Sequence, residues 1–486
     1  MNQDSAVLNF DTVQTNDDAA IAELHRLFDA QRAAYFANPE PTLEERLELI
    51  GRIPGMMVKN YDRIVAAFHA DYGNHPALTT TLFDFLNVIE RAQQAMENLA
   101  KWMQRDERPL PPELYGSSVA YIRHQPKGVI GNLSAWNFPF DISFGPLVDM
   151  LAAGNRVIIK PSEQVPACGE LMREMIAETY APEQVAVVTG GIGLASHFST
   201  LRWDHLLYTG NTRIGREVAL KAAENLVPVT LELGGKNPVI FTEDSVTPQN
   251  VANMLGVKVA KNGQICINAD HAFVPRAQQD RFVQLAREHL DSLFEDYTTD
   301  PDVCNVINKR QWTRLQAMIS ELRERAPQSL VEIGSPATTE GGCRMPFTIA
   351  VDPPKDSLVA TTEVFGPILP LIPYGDIDEV IHAIQQGERP LGIYMYSEQP
   401  DLIEKVRCNT SSGGFVVNCC ALHGAQGNLG FGGVGHSGHG RHHGIEGFKE
   451  FSNPRAYVEL KDDAAIDPLL APHREITGQF VQAMMG

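Results

Sequence analysis

The segment Lys261-Asn262-Gly263-Gln264-Ile265-Cys266 leaves a helical pattern through Asn and Gly and presents a cysteine in a tight, glycine-dependent turn. Cysteine is intrinsically nucleophilic, and a modest fall from its reference pKa of about 8.5 yields far more thiolate at neutral pH. Sulfur adds directly to a carbonyl, so a covalent thiohemiacetal with an aldehyde is the chemistry such a residue would do. The competing reading is a small buried hydrophobe near a helix end. Two further segments bear on the choice. In Thr230-Leu231-Glu232-Leu233-Gly234-Gly235-Lys236, leucines flank a carboxylate and paired glycines follow it. Apolar flanks would desolvate Glu232, as a general base requires, and the glycines would let a ligand approach. The bland alternative is a surface glutamate at a strand end. Ala135-Trp136-Asn137-Phe138-Pro139 holds an amide donor between aromatic residues. Asn137 could stabilise a developing oxyanion, or simply form a turn.

Tyr208-Thr209-Gly210-Asn211-Thr212-Arg213-Ile214-Gly215 lies between a strand-like and a helix-like stretch. Gly210 and Gly215 suit a turn that aims helix N–H groups at a pyrophosphate, although the spacing is neither Walker nor Rossmann. His423, His436, His439, His442 and His443 enrich a glycine-rich stretch near Cys419 and Cys420. Adjacent cysteines chelate one ion poorly and no zinc-ligand spacing is present, so no metal is expected and these histidines are read as loop, interface or channel residues.

These residues need elements to position them. The first hundred residues read as helices, one over Asp17 to Phe36 and another opened by Pro76 with Leu82, Phe85, Leu86, Ile89, Met96 and Leu99 along one side. From Lys127, short apolar strands (128–133, 156–160, 185–189, 205–209) alternate with helices (165–180, 193–200, 212–225), which argues for a parallel sheet covered on both faces. A second alternating region holds strands at 238–241, 272–275, 368–373, 391–396 and 413–418, with helices from Thr247-Pro248, from Ala277 and over 376–386. Asp376 and Glu379 form a plausible capping pair. The stretch 424–447 reads as loop, and the last 25 or so residues have no evident core role.

With 486 residues the chain can bury several cores. Its 40 basic against 60 acidic residues give a net charge of -20, which disfavours nucleic-acid and anionic-membrane partners. No apolar run reaches membrane-spanning length, and MNQDSAVLNFD is unlike a signal peptide. Seven cysteines without a framework pattern suit a reducing compartment, so a cytoplasmic location is expected.

Taken in order, Trp136-Asn137-Phe138-Pro139, Lys160-Pro161-Ser162-Glu163, Thr209-Gly210, Leu231 to Lys236, Gly263 to Cys266, Glu363-Val364-Phe365-Gly366-Pro367 and Phe431-Gly432-Gly433-Val434-Gly435 make a set. On these motifs the chain resembles the NAD(P)-dependent aldehyde dehydrogenase superfamily over about residues 15–460. Its class 3-like branch, which includes fatty, aromatic and coniferyl aldehyde dehydrogenases, is the closer match. The resemblance implies Cys266 as nucleophile, Glu232 as general base and Asn137, with the Cys266 N–H, as oxyanion donors. Lys160 and Glu163 would bind the adenosine ribose, Gly210 and Gly215 the pyrophosphate, and Glu363 the nicotinamide ribose with Phe365 beside it. Lys236 lies in a motif without an assigned step. Asn211 stands where the family usually has Ser, and Thr362 where many members carry a second glutamate.

The fold so implied is α/β: a parallel-sheet dinucleotide-binding domain (1–107 and 127–234), an α/β catalytic domain (235–420) and small β oligomerisation strands (108–126 and 455–461). A Gly/His-rich loop region (421–454) and a C-terminal tail (462–486) complete it. The implied reaction runs through a thiohemiacetal and a thioester to a carboxylic acid, with NAD ahead of NADP because Glu163 would repel a 2′-phosphate. A hydrophobic small-molecule aldehyde is the expected partner, coniferyl-type ahead of medium- or long-chain aliphatic, in a homodimer. Acyl transfer to coenzyme A and a catalytically silent binding protein are the other classes.

Overall fold

A computed structural model describes residues 17–485. The readings of residues 1–16, including the absence of a signal peptide, and of residue 486 lie outside it. Six strands form one sheet in the order Gly438–His439, Val229–Leu233, His205–Gly210, Val129–Leu133, Arg156–Lys160, Val185–Val187. All are parallel except the two-residue edge strand. Val129–Leu133 and Arg156–Lys160 are almost wholly buried, because helices cover both faces. The helices Leu43–Lys59, Tyr61–Tyr72, Asn87–Trp102 and Asp141–Ala152 share one core with Ile130, Val157, Ile159 and Leu207. Asp18–Ala37 covers the opposite face through Leu24 and Leu27, against Ile158, Leu206 and Leu231. The chain moves outward from Val129–Leu133 in one direction, then crosses back to His205–Gly210 on its other side. Such a switch point opens a crevice at the carboxyl ends of the strands.

A second sheet of seven strands has the order Leu330–Ile333, Phe347–Val351, Ile368–Tyr374, His271–Pro275, Pro238–Phe241, Gly392–Tyr396, Gly414–Val417. Only its first pair is antiparallel. Thr247 caps the helix Pro248–Val259 by accepting from the Asn250 N–H, and Pro248 takes the first helical position. Asp376 caps Ile377–Gln386, but through the Asp378 N–H, while Glu379 accepts from Gly375 rather than from Asp376. A third, antiparallel sheet joins Asp106–Arg108, Val119–Pro126 and Ser452–Glu459, with Val119 opposite Glu459 and Pro126 opposite Ser452.

Two expectations fail locally. The stripe after Pro76 is interrupted by a π-helical turn at Thr81–Leu86, so Leu82 and Leu86 face outward while Phe85, Val88 and Leu99 are buried. A wider turn rotates the following helix relative to a strict 3.6-residue period. The Gly/His-rich segment is also more than a loop. It contributes the edge strand Gly438–His439, the helix Gly444–Glu450 and buried His442, His443, Phe448 and Phe451. These pieces are too short to show a period in sequence. The tail contains a helix, Glu475–Met485, with no buried residue. Among the described residues no helix is long and apolar enough to cross a membrane.

Gly438 pairs with Glu232 at a φ of 120°, and a Cβ there would overlap the Leu231 carbonyl oxygen. Gly438→Ala should therefore detach the edge strand and lower stability by about 1–3 kcal/mol or more, read as a lower denaturant midpoint.

Candidate active site

The turn before Cys266 is built from left-handed residues: Lys261 at φ 46°, Asn262 at 55° and Gly263 at 78°. Non-glycine residues rarely adopt this region, so surrounding contacts must hold them. The Lys261 ammonium, with no exposed side-chain surface, pairs with equally buried Asp84 at 3.1 Å and donates to the Asn137 carbonyl. It also sits 4.2 Å from the Phe138 ring centroid, a cation–π contact. Asn262 donates to the Cys304 carbonyl at 2.8 Å and accepts from the Tyr297 hydroxyl at 2.9 Å. A Cβ on Gly263 would overlap the Gly366 carbonyl, so only glycine brings the turn this close to the 363–366 loop.

Beyond the turn, Gln264 donates to the Lys261 and Asn305 carbonyls, both at 2.9 Å, and accepts from the Ile307 N–H. Asn237 donates to the Cys266 carbonyl at 2.8 Å and to the Asn268 carbonyl at 3.0 Å. The backbone on either side of the sulfur is thereby fixed.

Cys266 is partly exposed, among Phe83, Phe138, Ile142, Ile265, Ile267 and Phe431. Burial of its sulfur, followed by the charges of Glu232 and Glu363, pushes the thiol up to about 12. Asn137 is buried, and its amide donates to the Gln264 carbonyl at 3.2 Å, two residues before Cys266. Glu232 is 3% exposed, and both of its carboxylate oxygens are buried without a hydrogen-bond partner. Desolvation holds its pKa well above the usual carboxylate range; Arg441 opposes this and Glu450 adds to it. Glu363 lies over Gly234, where a Cβ would collide with its carboxylate, and accepts from the Gly235 N–H at 3.1 Å. Burial raises Glu363 to about 7. Phe365 meets Trp136 edge to face, 5.4 Å between centroids.

The remaining candidates flank the carboxyl ends of the six-stranded sheet. Lys160 ends its strand almost fully buried, donating to the Pro161 carbonyl at 2.9 Å and lying 3.5 Å from the Glu163 carboxylate. Burial lowers its pKa, with Glu163 opposing. Gly210 ends the next strand but one, and Asn211 caps Thr212–Ala223 by accepting from the Ile214 N–H at 3.0 Å. Asn211 is thus turned back on its own helix, and the first N–H groups of that helix point out of its start. Gly215 packs that helix against Leu233, to whose side chain a Cβ would come within 2.6 Å. These features fit a dinucleotide: a helix start suited to a pyrophosphate, a lysine–glutamate pair suited to a ribose, and a second carboxylate, Glu363, toward Cys266.

Several positioning residues, Lys236 apart, left no recognisable mark in the sequence. Lys236 pairs with Asp270 at 2.5 Å and donates to the Val359 and Thr362 carbonyls at 3.0 and 3.1 Å. Burial would raise Asp270, yet the Lys236 ion pair and the His271 hydrogen bond hold it well below the usual range. Asp270 also accepts from the Val364 N–H at 2.8 Å. Arg314 grips the same loop through the Glu363 and Val364 carbonyls at 3.2 and 2.7 Å. Only Lys236 sat in a visible motif; Asp84, Asp270 and Arg314 are separated from it by distance along the chain. His423 and His443 stack on Phe431. Among the described residues no group of three or more His, Cys, Asp or Glu side chains is placed to hold a metal ion.

The profile of the aldehyde dehydrogenase family matches residues 8–457. A probable coniferyl aldehyde dehydrogenase of Caulobacter vibrioides is 35% identical over 459 residues, covering 93% of this chain and 94% of that protein. Another probable coniferyl aldehyde dehydrogenase, from Pseudomonas aeruginosa, is 37% identical over 437 residues, 90% of each chain. The substrate-bound structure of Staphylococcus aureus AldH superposes with a TM-score of 0.88 at 27% identity, covering 95% of this chain and 99% of that one.

Removing the Lys261 charge would leave Asp84, already lifted to about 6 by burial, without its partner. Lys261→Met should cost about 3–5 kcal/mol in a denaturant titration, and the Cys266 turn should lose activity with it.

Proposed function

Because the chain belongs to the aldehyde dehydrogenase family and is an NAD(P)-dependent enzyme that oxidises aldehydes to carboxylic acids, we propose that Cys266 is its nucleophile, Glu232 its general base and Asn137 its oxyanion donor. The observation that carries this reading is the pair of buried, unpartnered Glu232 oxygens acting on the Cys266 thiol. A carboxylate kept from water and from protein donors is basic, and it needs a transient proton source to be useful.

The thiol, raised to about 12, is protonated at neutral pH, so its proton must leave as sulfur adds to the aldehyde carbon. Glu232 is the neighbouring group with the affinity to take it. The second N–H of the Asn137 amide and the Cys266 N–H would meet the developing oxyanion, where fixed donors lower the barrier most. Hydride departs readily from that tetrahedral carbon and leaves a thioester on Cys266. When bound, the nicotinamide cofactor supplies the hydride acceptor. Lys160 and Glu163 would hold its adenosine ribose, the turn with Gly210 and Gly215 its pyrophosphate, and Glu363 its second ribose, with Phe365 alongside. Glu163 favours NAD over NADP, since a carboxylate accepts from ribose hydroxyls and repels a 2′-phosphate. In the second half, Glu232, having released the thiol's proton to solvent, takes a proton from water; the water oxygen attacks the thioester, the C–S bond breaks as the acid leaves, and the sulfur regains that proton.

The aromatic and branched side chains around Cys266 suit a hydrophobic aldehyde, and the names of two relatives favour a coniferyl-type substrate over an aliphatic one. Water activation by Glu232 favours acid over coenzyme A thioester as product. A homodimer is the proposed assembly, since a three-stranded sheet bearing exposed Val458 and Leu460 is a marginal unit without a further surface.

Cys266→Ala should abolish turnover. Asn137→Ala should reduce it by roughly tenfold to a thousandfold. Glu232→Gln should slow the steady rate of acid release more than first-turnover formation of reduced cofactor; an unchanged steady rate would remove its role. With wild-type protein, the acid limb of the kcat profile should lie above the ordinary carboxylate range, because Glu232 must be ionised and burial raises its pKa. A panel of coniferyl aldehyde, benzaldehyde, hexanal and decanal with both cofactors should rank coniferyl aldehyde with NAD first by kcat/KM, and a preference for decanal would overturn the substrate class.

A further inference from the structure

The residue that precedes the helix Gly444–Glu450 is held in an unfavourable state. His443 is 2% exposed and has a φ of 84°, a region that few side chains adopt. Its N–H donates to the buried Asp149 carboxylate at 2.9 Å. Gly447 lets that carboxylate in, since a Cβ there would come within 2.3 Å of it. Both ring nitrogens of His443 are buried without a hydrogen-bond partner, and burial holds the imidazole well below its ordinary pKa, so the ring is neutral. Backbone strain and unmet polar atoms do not stabilise a fold. What the ring does form is a stack. It lies 5.3 Å from the Phe431 ring at 23° and meets His442 edge to face, 4.5 Å between centroids. Phe431 is tied to His442 by two backbone hydrogen bonds of 2.8 and 2.9 Å, and His423 stacks on it at 6.0 Å and 25°. Phe431 in turn belongs to the apolar cluster against which Cys266 packs. Gly424 leaves it room there, since a Cβ would fall 3.3 Å from its ring and 2.5 Å from Ile267. An unbroken set of contacts therefore runs from Asp149 through His443 and Phe431 to the wall beside Cys266.

We infer that His443 is a positioning residue for specificity: its ring fixes Phe431 as a flat wall of the aldehyde pocket, which selects planar, conjugated aldehydes over flexible aliphatic ones. This rests on the reading of Cys266 as nucleophile. The backbone bridge to His442 holds the Phe431 main chain, and the His443 stack holds its ring. A fixed aromatic face offers a substrate ring an offset or edge contact, whereas a ring free to turn must be ordered at each binding event and loses part of that contact. An alkyl chain gains only buried area against Phe431, and it gains that in any orientation of the ring. The imidazole acts through Phe431 rather than on the reacting atoms, so its effect falls on which aldehyde is held and not on the steps that follow.

The test measures kcat/KM for benzaldehyde and for hexanal in wild type, His443→Gly, His443→Phe, Phe431→Leu and the double variant Phe431→Leu with His443→Gly. Both substrates are assayed on one preparation, so their ratio does not depend on how much of the protein is folded. Glycine takes a φ of 84° without strain and removes the ring. The benzaldehyde-to-hexanal ratio should then fall roughly three- to tenfold, the worth of one aromatic contact, with the loss in KM rather than kcat. Phenylalanine restores a ring and forfeits no hydrogen bond, because neither nitrogen makes one, so the ratio should return to within about twofold of wild type. Phe431→Leu should lower the ratio as His443→Gly does, and combining the two should lower it no further. A ratio unmoved by His443→Gly would overturn the inference. So would equal losses in the glycine and phenylalanine variants, which would place the effect in the imidazole nitrogens. Additive losses in the double variant would overturn it as well, since His443 would then act without Phe431. Turnover surviving in Cys266→Ala would overturn the site reading itself, whereas in a Cys266-dependent enzyme the outcomes above bear on His443 alone.

Discussion

A buried ammonium fixes the geometry of the turn that carries Cys266. The turn from Lys261 to Gly263 runs through left-handed backbone that two of its three residues adopt only under constraint. Lys261 meets that constraint by joining Asp84, from the helical layer, to the Asn137 carbonyl, from the loop after a central strand. One side chain thus ties together the turn that presents the sulfur, the loop that presents the amide, and the helices behind both. An ion pair with no exposed surface contributes little net stability compared with an apolar substitute, but leaving either charge alone is costly. Its value here is positional.

Electrostatics then limit what the site can do at one time. Cys266, Glu232 and Glu363 are three acids sharing a poorly solvated space, and each ionisation raises the cost of the next. Groups this close titrate as a set rather than singly. The free site therefore favours protonated sulfur and discourages a second buried charge. Holding Glu363 is the work of a separate assembly: Lys236, Asp270 and Arg314 fasten the backbone on both sides of it while leaving its carboxylate over Gly234. The loop is held through its backbone, and its acid accepts from the Gly235 N–H.

What the sequence disclosed follows the range of the forces involved. Strands such as Pro238–Phe241, and the cap at Thr247, are local patterns with a local cause, and their positions agree with the structure. Cys266, Glu232 and Asn137 were singled out because each stood in a short run of telling neighbours. Asp84 could not be, since its meaning comes from Lys261, 177 positions away. Asp270 and Arg314 were missed for the same reason. The π-turn at Thr81–Leu86 misled a periodic reading because one widened turn rotates everything after it. The Gly/His-rich stretch was hidden by brevity: a two-residue strand and a seven-residue helix leave no period to detect.

That stretch also shows why a sheet edge can serve chemistry better than a sheet centre. Glu232 lies on the last long strand of its sheet, and its outer neighbour is the two-residue strand Gly438–His439. A full-length neighbour would fill this margin with side chains, whereas Gly438 admits none, since a Cβ there would overlap the Leu231 carbonyl. Gly438 and Gly440 cover the strand here with bare backbone, and a cleft beyond them reaches Glu450. The pairing covers Leu231 and Glu232, so that part of the edge is not left open to another chain. Burial still keeps the carboxylate from water, which keeps it basic. Full burial of the carboxylate and a close backbone cover over its strand are two demands on the same margin. An edge strand capped by a very short partner satisfies both.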